Sequence, residues 1–259
     1  MPKLAANLSM MFNEVDFMDR FAAAAEGGFK GVEYLFPYDY DKDDLKSALD
    51  GHGLVQVLHN LPAGDWDAGE RGIACHPDRV GEFQEGVGNA IDYATTLGCN
   101  QVNCLAGVAS PDVPSETLRE TFVSNLAFAA GELEKAGITL LIEAINTRDI
   151  PGFFLQTTSQ ALAIIADVDS ENLKLQYDIY HMQIMEGDLT PTIEANLPMI
   201  RHMQLADNPG RNEPGTGEIN YPFLFDAIDK MGYDGWIGCE YMPRTTTIEG
   251  LQWAAPYLR

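Results

Sequence analysis

The chain has 259 residues, 46% hydrophobic and 21% charged, proportions that suit a protein with a sizeable buried core and exclude a disordered or fibrous one. Acidic residues outnumber basic ones 39 to 16, a formal net charge of -23, so nucleic acid and anionic membrane are repelled and are not expected partners. An anionic substrate would need local positive charge, from a metal ion or from one of the few arginines.

Eight short apolar runs with strand composition recur along the chain, with helical patterns between them. They are Leu4 to Ser9, Gly31 to Phe36, Leu54 to His59, Gln101 to Ala106, Ile138 to Ala144, Leu173 to Ile179, Ile200 to Ala206 and Gly235 to Tyr241. Alternation of this kind predicts a parallel sheet, and a repeat of about 32 residues per unit favours a closed barrel over an open sheet. The expected fold is α/β, a (β/α)8 TIM barrel forming a single domain over residues 1–259.

Glycines at Gly27 and Gly28, Gly51 and Gly53, Gly98, Gly137 and Gly232 precede strands and are expected to stop helices in the left-handed conformation. Thr157 to Gln160 fits a capping box, and Asn220 before Tyr221-Pro222 fits a helix start. Cys75, Cys99, Cys104 and Cys239 form no C-x-x-C pair and read as reduced, mostly buried thiols. The start, MPKLAANLSM, shows no charged segment followed by a long apolar run, and nowhere do about 18 apolar residues follow one another. The expected compartment is the cytoplasm. Homo-oligomers are common among soluble enzymes, which is a general expectation for this chain too.

Two connections are long and polar, His59 to Arg79 after the third strand and Asp207 to Asn220 after the seventh. Both leave the C-terminal ends of strands, the face on which such barrels place their chemistry, and both are candidate lids or gripping loops.

Glu143, Asp178, Gln204 and Glu240 end the fifth to eighth predicted strands at separations of 35, 26 and 36 residues, so they should meet at one rim. Each interrupts an apolar run (LLIE, LKLQYD, IRHMQ, WIGCE), and a buried unpaired carboxylate is costly unless compensated. Each acid alone could merely pair with an arginine or a backbone amide. Three carboxylates and an amide oxygen together point to a hard divalent cation, magnesium first and manganese second, and the lack of a sulfur or obvious histidine ligand argues against zinc.

His181, in YDIYH, and His59, in VLHN, are expected to hydrogen-bond a substrate oxygen or shuttle a proton, although a lone histidine is more often structural. His202 reads as a residue one layer below the site, and His52 and His76 carry no implied chemistry. Arg211 and Arg71, in the two long loops, are the candidate cations for a substrate carboxylate, with Arg211 the first choice; solvent-exposed pairing with Glu213 or Glu70 is the alternative. No P-loop, G-x-G-x-x-G, G-x-S-x-G or H-E-x-x-H pattern occurs, which leaves nucleotide-dependent and serine-hydrolase chemistries unsupported.

Taken with the segments ANLSMMF, GVEYLFPYDYD, HNLPAGDWDAGERGIACHP, NCLAG, QYDIYHMQIMEGDLT, ADNPGRNEPGTGEINY and GWIGCEY, the chain resembles the hydroxypyruvate isomerase family, within the xylose-isomerase-like barrel superfamily, over essentially its whole length. The resemblance implies interconversion of hydroxypyruvate and tartronate semialdehyde, with Glu143 and Glu240 as proton donor and acceptor and Glu143, Asp178, Gln204 and Glu240 as metal positions. A sister group isomerises 2-oxo-tetronate and shares much of the signature; the HNLPAGDW block favours hydroxypyruvate. Rival readings are a sugar epimerase using the same glutamates, a metal-dependent phosphodiesterase disfavoured by the net charge, and a non-catalytic sugar-acid binding protein.

Overall fold

A computed structural model describes residues 1–258. The chain alternates strand and helix: β1 (Lys3–Asn7), α1 (Arg20–Glu26), β2 (Gly31–Glu33), α2 (Lys42–His52), β3 (Val55–Asn60), α3 (Val80–Leu97), β4 (Gln101–Cys104), α4 (Ser115–Lys135), β5 (Thr139–Glu143), α5 (Thr158–Val168), β6 (Leu173–Asp178), α6 (Ile179–Met185), α7 (Leu189–Asn196), β7 (Ile200–Leu205), α8 (Tyr221–Met231), β8 (Trp236–Cys239) and the short α9 (Thr247–Gly250). All eight strands are parallel and pair in chain order, and β1 closes on β8 through Lys3 to Trp236 and Ala6 to Cys239. The eight predicted strands are the eight observed; seven are shorter than their apolar runs, which continue into buried loop starts, and β3 keeps the length of its run but starts and ends one residue later.

Helix ends follow local chemistry. Gly53, Gly98 and Gly232 take positive φ at the ends of α2, α3 and α8, as expected. Gly51, by contrast, lies inside α2, and Gly27 ends α1 with φ of -67°, leaving the left-handed turn to Gly28. Thr157 caps α5 by accepting from Gln160 N, but the Gln160 side chain reaches back to Gln156 N rather than to Thr157, so the box is displaced by one residue. Asn220 caps α8 through Phe223 N.

Apolar side chains separate into two clusters. The large one lies between the sheet and the helices, where α3 presents Phe83, Val87, Ala90, Ala94 and Leu97 at helical spacing. The small one, Ala5, Val57, Leu58 and Leu141 packed by Trp236, plugs the lumen. Towards the C-terminal rim the lumen is polar, with Asn7, Glu33, Asn103, Glu143, Gln176 and Gln204 each at most 4% exposed. All four cysteines are free and buried, and no helix among the described residues is long and apolar enough to cross a membrane.

Candidate active site

Glu143 ends β5, Asp178 ends β6, and Glu240 follows β8, where its backbone N–H bonds Leu205 O across to β7. With His181 in the first turn of α6, these three carboxylates form a buried group in which each residue offers an atom within 4.8 Å of the others. Asp178 owes its orientation to helix capping: Oδ1 accepts from the N–H groups of Tyr180 (2.7 Å) and His181 (3.3 Å). Its Oδ2 is buried and has no hydrogen-bond partner.

A belt of amides joins the acids. Asn103 (3.1 Å) and Gln176 (2.9 Å) both donate to Glu143 Oε2, and Gln176 also donates to Gln204 Oε1 (2.6 Å). Gln204 donates to Glu33 Oε1 (2.8 Å), as does Asn7 (3.1 Å), which also approaches Glu240 Oε1 (3.4 Å). His202 Nε2 lies 2.8 Å from Glu33 Oε2, so this histidine does sit beneath the site, on an acid. Gln204 thus meets the rim as expected, but one lone pair of its oxygen already serves Gln176. Glu33, Asn7, Asn103 and Gln176 escaped the sequence reading. The signal was present for Glu33, a lone acid inside the apolar run GVEYLF.

Burial raises the proton affinity of Glu143 well above the ordinary carboxylate range, and the Glu240 and Asp178 charges raise it further. Burial likewise raises Glu240, with the Arg211 guanidinium opposing it. His181 is pushed down to about 4 by burial, against the pull of Asp178, and is neutral at pH 7. Its tautomer follows from its neighbours. Asp149 N donates to Asn146 Oδ1 (2.8 Å), which turns the Asn146 amide nitrogen toward His181 Nδ1 (2.6 Å). Nδ1 therefore accepts, and Nε2 carries the proton toward the carboxylates.

These residues fit a divalent cation. Three crowded carboxylates, one with an unsatisfied buried oxygen, are the donor set of a hard metal. Glu143, Asp178 and Glu240 would hold it, with the second lone pair of Gln204 Oε1 available to complete an all-oxygen set. The Nε2–H tautomer makes His181 a donor rather than a ligand.

Glu143 and Glu240 open into a cavity of about 230 Å³ at the C-terminal end of the barrel, also lined by Trp66, Arg71, Asp149, His181 and Arg211. Arg211, at φ of 53°, donates from Nη2 to Glu240 Oε2 (2.9 Å) and lies 3.7 Å from Asp149. Arg71 lies over the Trp66 ring at 4.0 Å. Neither pairs with Glu213 or Glu70. A larger cavity of about 420 Å³ opens at the opposite end of the barrel, but Asp234 is its one acid, so it holds no pair for proton transfer.

His59 is the expected site residue that the structure sets apart. The register between β2 and β3 pairs Val32 with Gln56 and Glu33 with Leu58, skipping Val57. Beyond that bulge Leu58 and Asn60 line the cavity, while His59 turns out toward Tyr38. Burial lowers its pKa from 6.5 to about 4, with a weak hydrogen bond to Asn60 O opposing. The unfolded chain therefore binds the extra proton first, so stability is full above about pH 6.5 and falls as pH drops toward 4. The loss attributable to His59 between pH 7.5 and 5 should be about 2 kcal/mol. Urea unfolding of wild type and His59→Phe at both pH values checks this; equal acid sensitivity of the two would exclude the assignment.

A profile of the xylose isomerase-like TIM barrel family matches residues 21–257. The chain is 56% identical over 257 residues to hydroxypyruvate isomerase of Escherichia coli K12, covering 99% of this chain and 100% of that one. It is 49% identical over 258 residues to the 2-oxo-tetronate isomerase of Cupriavidus necator, covering 100% and 99%. Among solved structures, one from Brucella melitensis described as an AP endonuclease of family 2 superposes with a TM-score of 0.97 at 47% identity, covering 99% of both chains.

Proposed function

The chain belongs to the xylose isomerase-like TIM barrel family, and from that premise we propose that it is an isomerase interconverting hydroxypyruvate and tartronate semialdehyde, a small anionic hydroxy-keto acid pair. The observation that carries this reading is the pair of buried glutamates, Glu143 and Glu240, gathered with Asp178 into one cluster and both raised in proton affinity. Carboxylates with a proton affinity shifted toward neutrality suit a C–H proton that must be taken and then returned.

The reaction moves one hydrogen from C3 to C2 and one from the C3 oxygen to the C2 oxygen. Glu240, bonded by the Arg211 guanidinium, is the acid better kept ionised, and it takes the C3 proton to leave an enediolate. Glu143 receives only neutral amide donors, keeps its proton, and delivers it to C2. The Glu143 carboxylate so formed takes the hydroxyl proton from the C3 oxygen and Glu240 returns its proton to the C2 oxygen, so both acids end as they began. His181 Nε2–H, facing Glu143 and Asp178, donates to a substrate oxygen. A bound divalent cation, magnesium or manganese, would supply Lewis-acid stabilisation of the two neighbouring substrate oxygens. The glutamates and amides are buried, which limits competing water at the planar intermediate.

The similarity to the Cupriavidus protein makes 2-oxo-tetronate the second candidate substrate. A phosphodiesterase acting on DNA, the reading suggested by the Brucella description, is disfavoured by a net charge of -23. Four free, buried thiols suit the cytoplasm.

Steady-state kinetics on hydroxypyruvate and on 2-oxo-tetronate, with product identified by NMR, test the assignment. The larger kcat/KM is expected for hydroxypyruvate, and absence of turnover would reject the reading. Exhaustive chelation should lower turnover and Tm together, with magnesium or manganese restoring both, because a ligand of the folded state stabilises it. Full activity in verified metal-free protein would remove the metal from the reaction.

A further inference from the structure

The cavity carries two guanidinium groups in unlike situations. The charge of Arg211 is taken up by Glu240 at 2.9 Å and Asp149 at 3.7 Å. Arg71 has no carboxylate within 4.0 Å among the described residues, in a chain with 39 acids to 16 bases. Its sequence neighbour Glu70 is already committed, accepting from Arg79 at 2.7 and 3.3 Å and from Asp65 N at 2.6 Å.

The hydrogen bonds Arg71 does make go to carbonyls and use one nitrogen. Nη1 donates to Trp66 O (3.0 Å) and Glu70 O (2.7 Å). Among the described residues nothing accepts from Nε or Nη2, the two nitrogens that together fork onto a carboxylate. The guanidinium plane is braced rather than loose. It lies 4.0 Å over the Trp66 ring, and that ring packs in turn on Phe36 at 5.0 Å.

The loop carrying the pair is clamped to its neighbour. Leu61 N bonds Asn103 O (2.8 Å) and Cys75 N bonds Ala106 O (2.9 Å). Gly72, at φ of 110°, packs so closely on the Leu105 carbonyl that a Cβ there would overlap it. The loop rises from β3, four strands from the β7 that carries Arg211, so the two arginines approach the cavity from opposite sides of the ring. A substrate whose reacting carbons face Glu240 would then lay its far end toward Arg71.

We infer that Arg71, braced by Trp66, grips the substrate's carboxylate through its free Nε and Nη2 and so selects small acids over neutral sugars of similar size. This deepens the isomerase reading and rests on it for the identity of the acid. Arg211, the first choice from sequence, is instead a partner of Glu240.

Binding measured by titration calorimetry tests the grip with glycerate, which carries the carboxylate but no carbonyl to isomerise, and with its uncharged amide, glyceramide. Wild type should prefer glycerate. Arg71→Gln should weaken glycerate by about 10- to 100-fold and lose the preference, the range of a charge-assisted hydrogen bond. Arg71→Lys should retain part of it, and Trp66→Leu should weaken glycerate by a smaller factor. Wild-type glycerate affinity in Arg71→Gln, or a wild type indifferent to acid and amide, overturns the inference. Hydroxypyruvate turnover by wild type, assayed in parallel, separates the two readings. A wild type that binds glycerate through Arg71 but leaves hydroxypyruvate unchanged keeps the grip and loses the reaction. Turnover with a KM unmoved by Arg71→Gln does the reverse.

Discussion

Glu143→Gln and Glu240→Gln should each fold and each turn over hydroxypyruvate at least about 100-fold more slowly than wild type, and as much as about 10⁴-fold, the contribution of a positioned acid or base. The amide keeps the size of the acid and an oxygen toward the other carboxylates, but it neither takes nor gives a proton. At position 143 the oxygen can still accept from Asn103 and Gln176, and at position 240 from Arg211, so the belt of hydrogen bonds survives. The two variants should differ in deuterated water. Glu143→Gln retains the base and should still exchange the C3 hydrogen with solvent, without completing the isomerisation. Glu240→Gln should do neither. Exchange observed in the reverse pattern would swap the two roles, and near-wild-type turnover in either variant would refute a two-carboxylate relay.

The largest effect on the fold is expected from one methyl group. Gly238 faces the lumen on β8, opposite Gln204 on β7, and a Cβ there would overlap both carboxylate oxygens of Glu33. A flexible acid would swing aside, but Glu33 is held by Asn7, His202 and Gln204 and is 1% exposed. Gly238→Ala therefore adds to overpacking, about 1–3 kcal/mol, a partial disruption of a buried charge network, worth up to about 2 kcal/mol more because no partner is lost outright. A fall in stability of about 1–5 kcal/mol is expected by urea unfolding, with weakened activity because Gln204 and Asn7 lose their anchor. The same substitution in a Glu33→Ala background should cost much less. Equal costs in the two backgrounds would show that Glu33 is not what Gly238 makes room for.

The barrel was legible because eight apolar runs alternate with helical patterns along the whole chain, which leaves few other ways to close a sheet. The acids of β5, β6 and β8 were legible for the same reason, since a carboxylate ending an apolar run is conspicuous. Glu33 obeys the same rule and was passed over because its run, GVEYLF, continues apolar beyond it, whereas the strand itself stops at Glu33. The amides Asn7, Asn103 and Gln176 carry no charge to mark them, and their part in the belt emerges only when strands distant in sequence converge. His59 went the other way. It has the residue type and place of a site histidine, but the one-residue skip at Val57 reverses which side of β3 faces the lumen, and no residue type signals that bulge. For the arginines, position in the two long loops was enough to bring both to the cavity, but which of them is left without an acid partner depends on contacts made by residues distant in sequence.

The separation of the two apolar clusters bears on how such a scaffold diversifies. Most of the apolar contact lies between sheet and helices, and the lumen contributes four buried residues and one tryptophan to that total. Loops such as that carrying Trp66 and Arg71 rest on the rim and are pinned by backbone bonds, so their side chains can drift under selection for a new substrate with little penalty to the folded state. Substitutions among the other side chains of such loops would change what the cavity accepts at little cost to the barrel, and proteins named for a three-carbon and a four-carbon acid lie at 56% and 49% identity to this one chain.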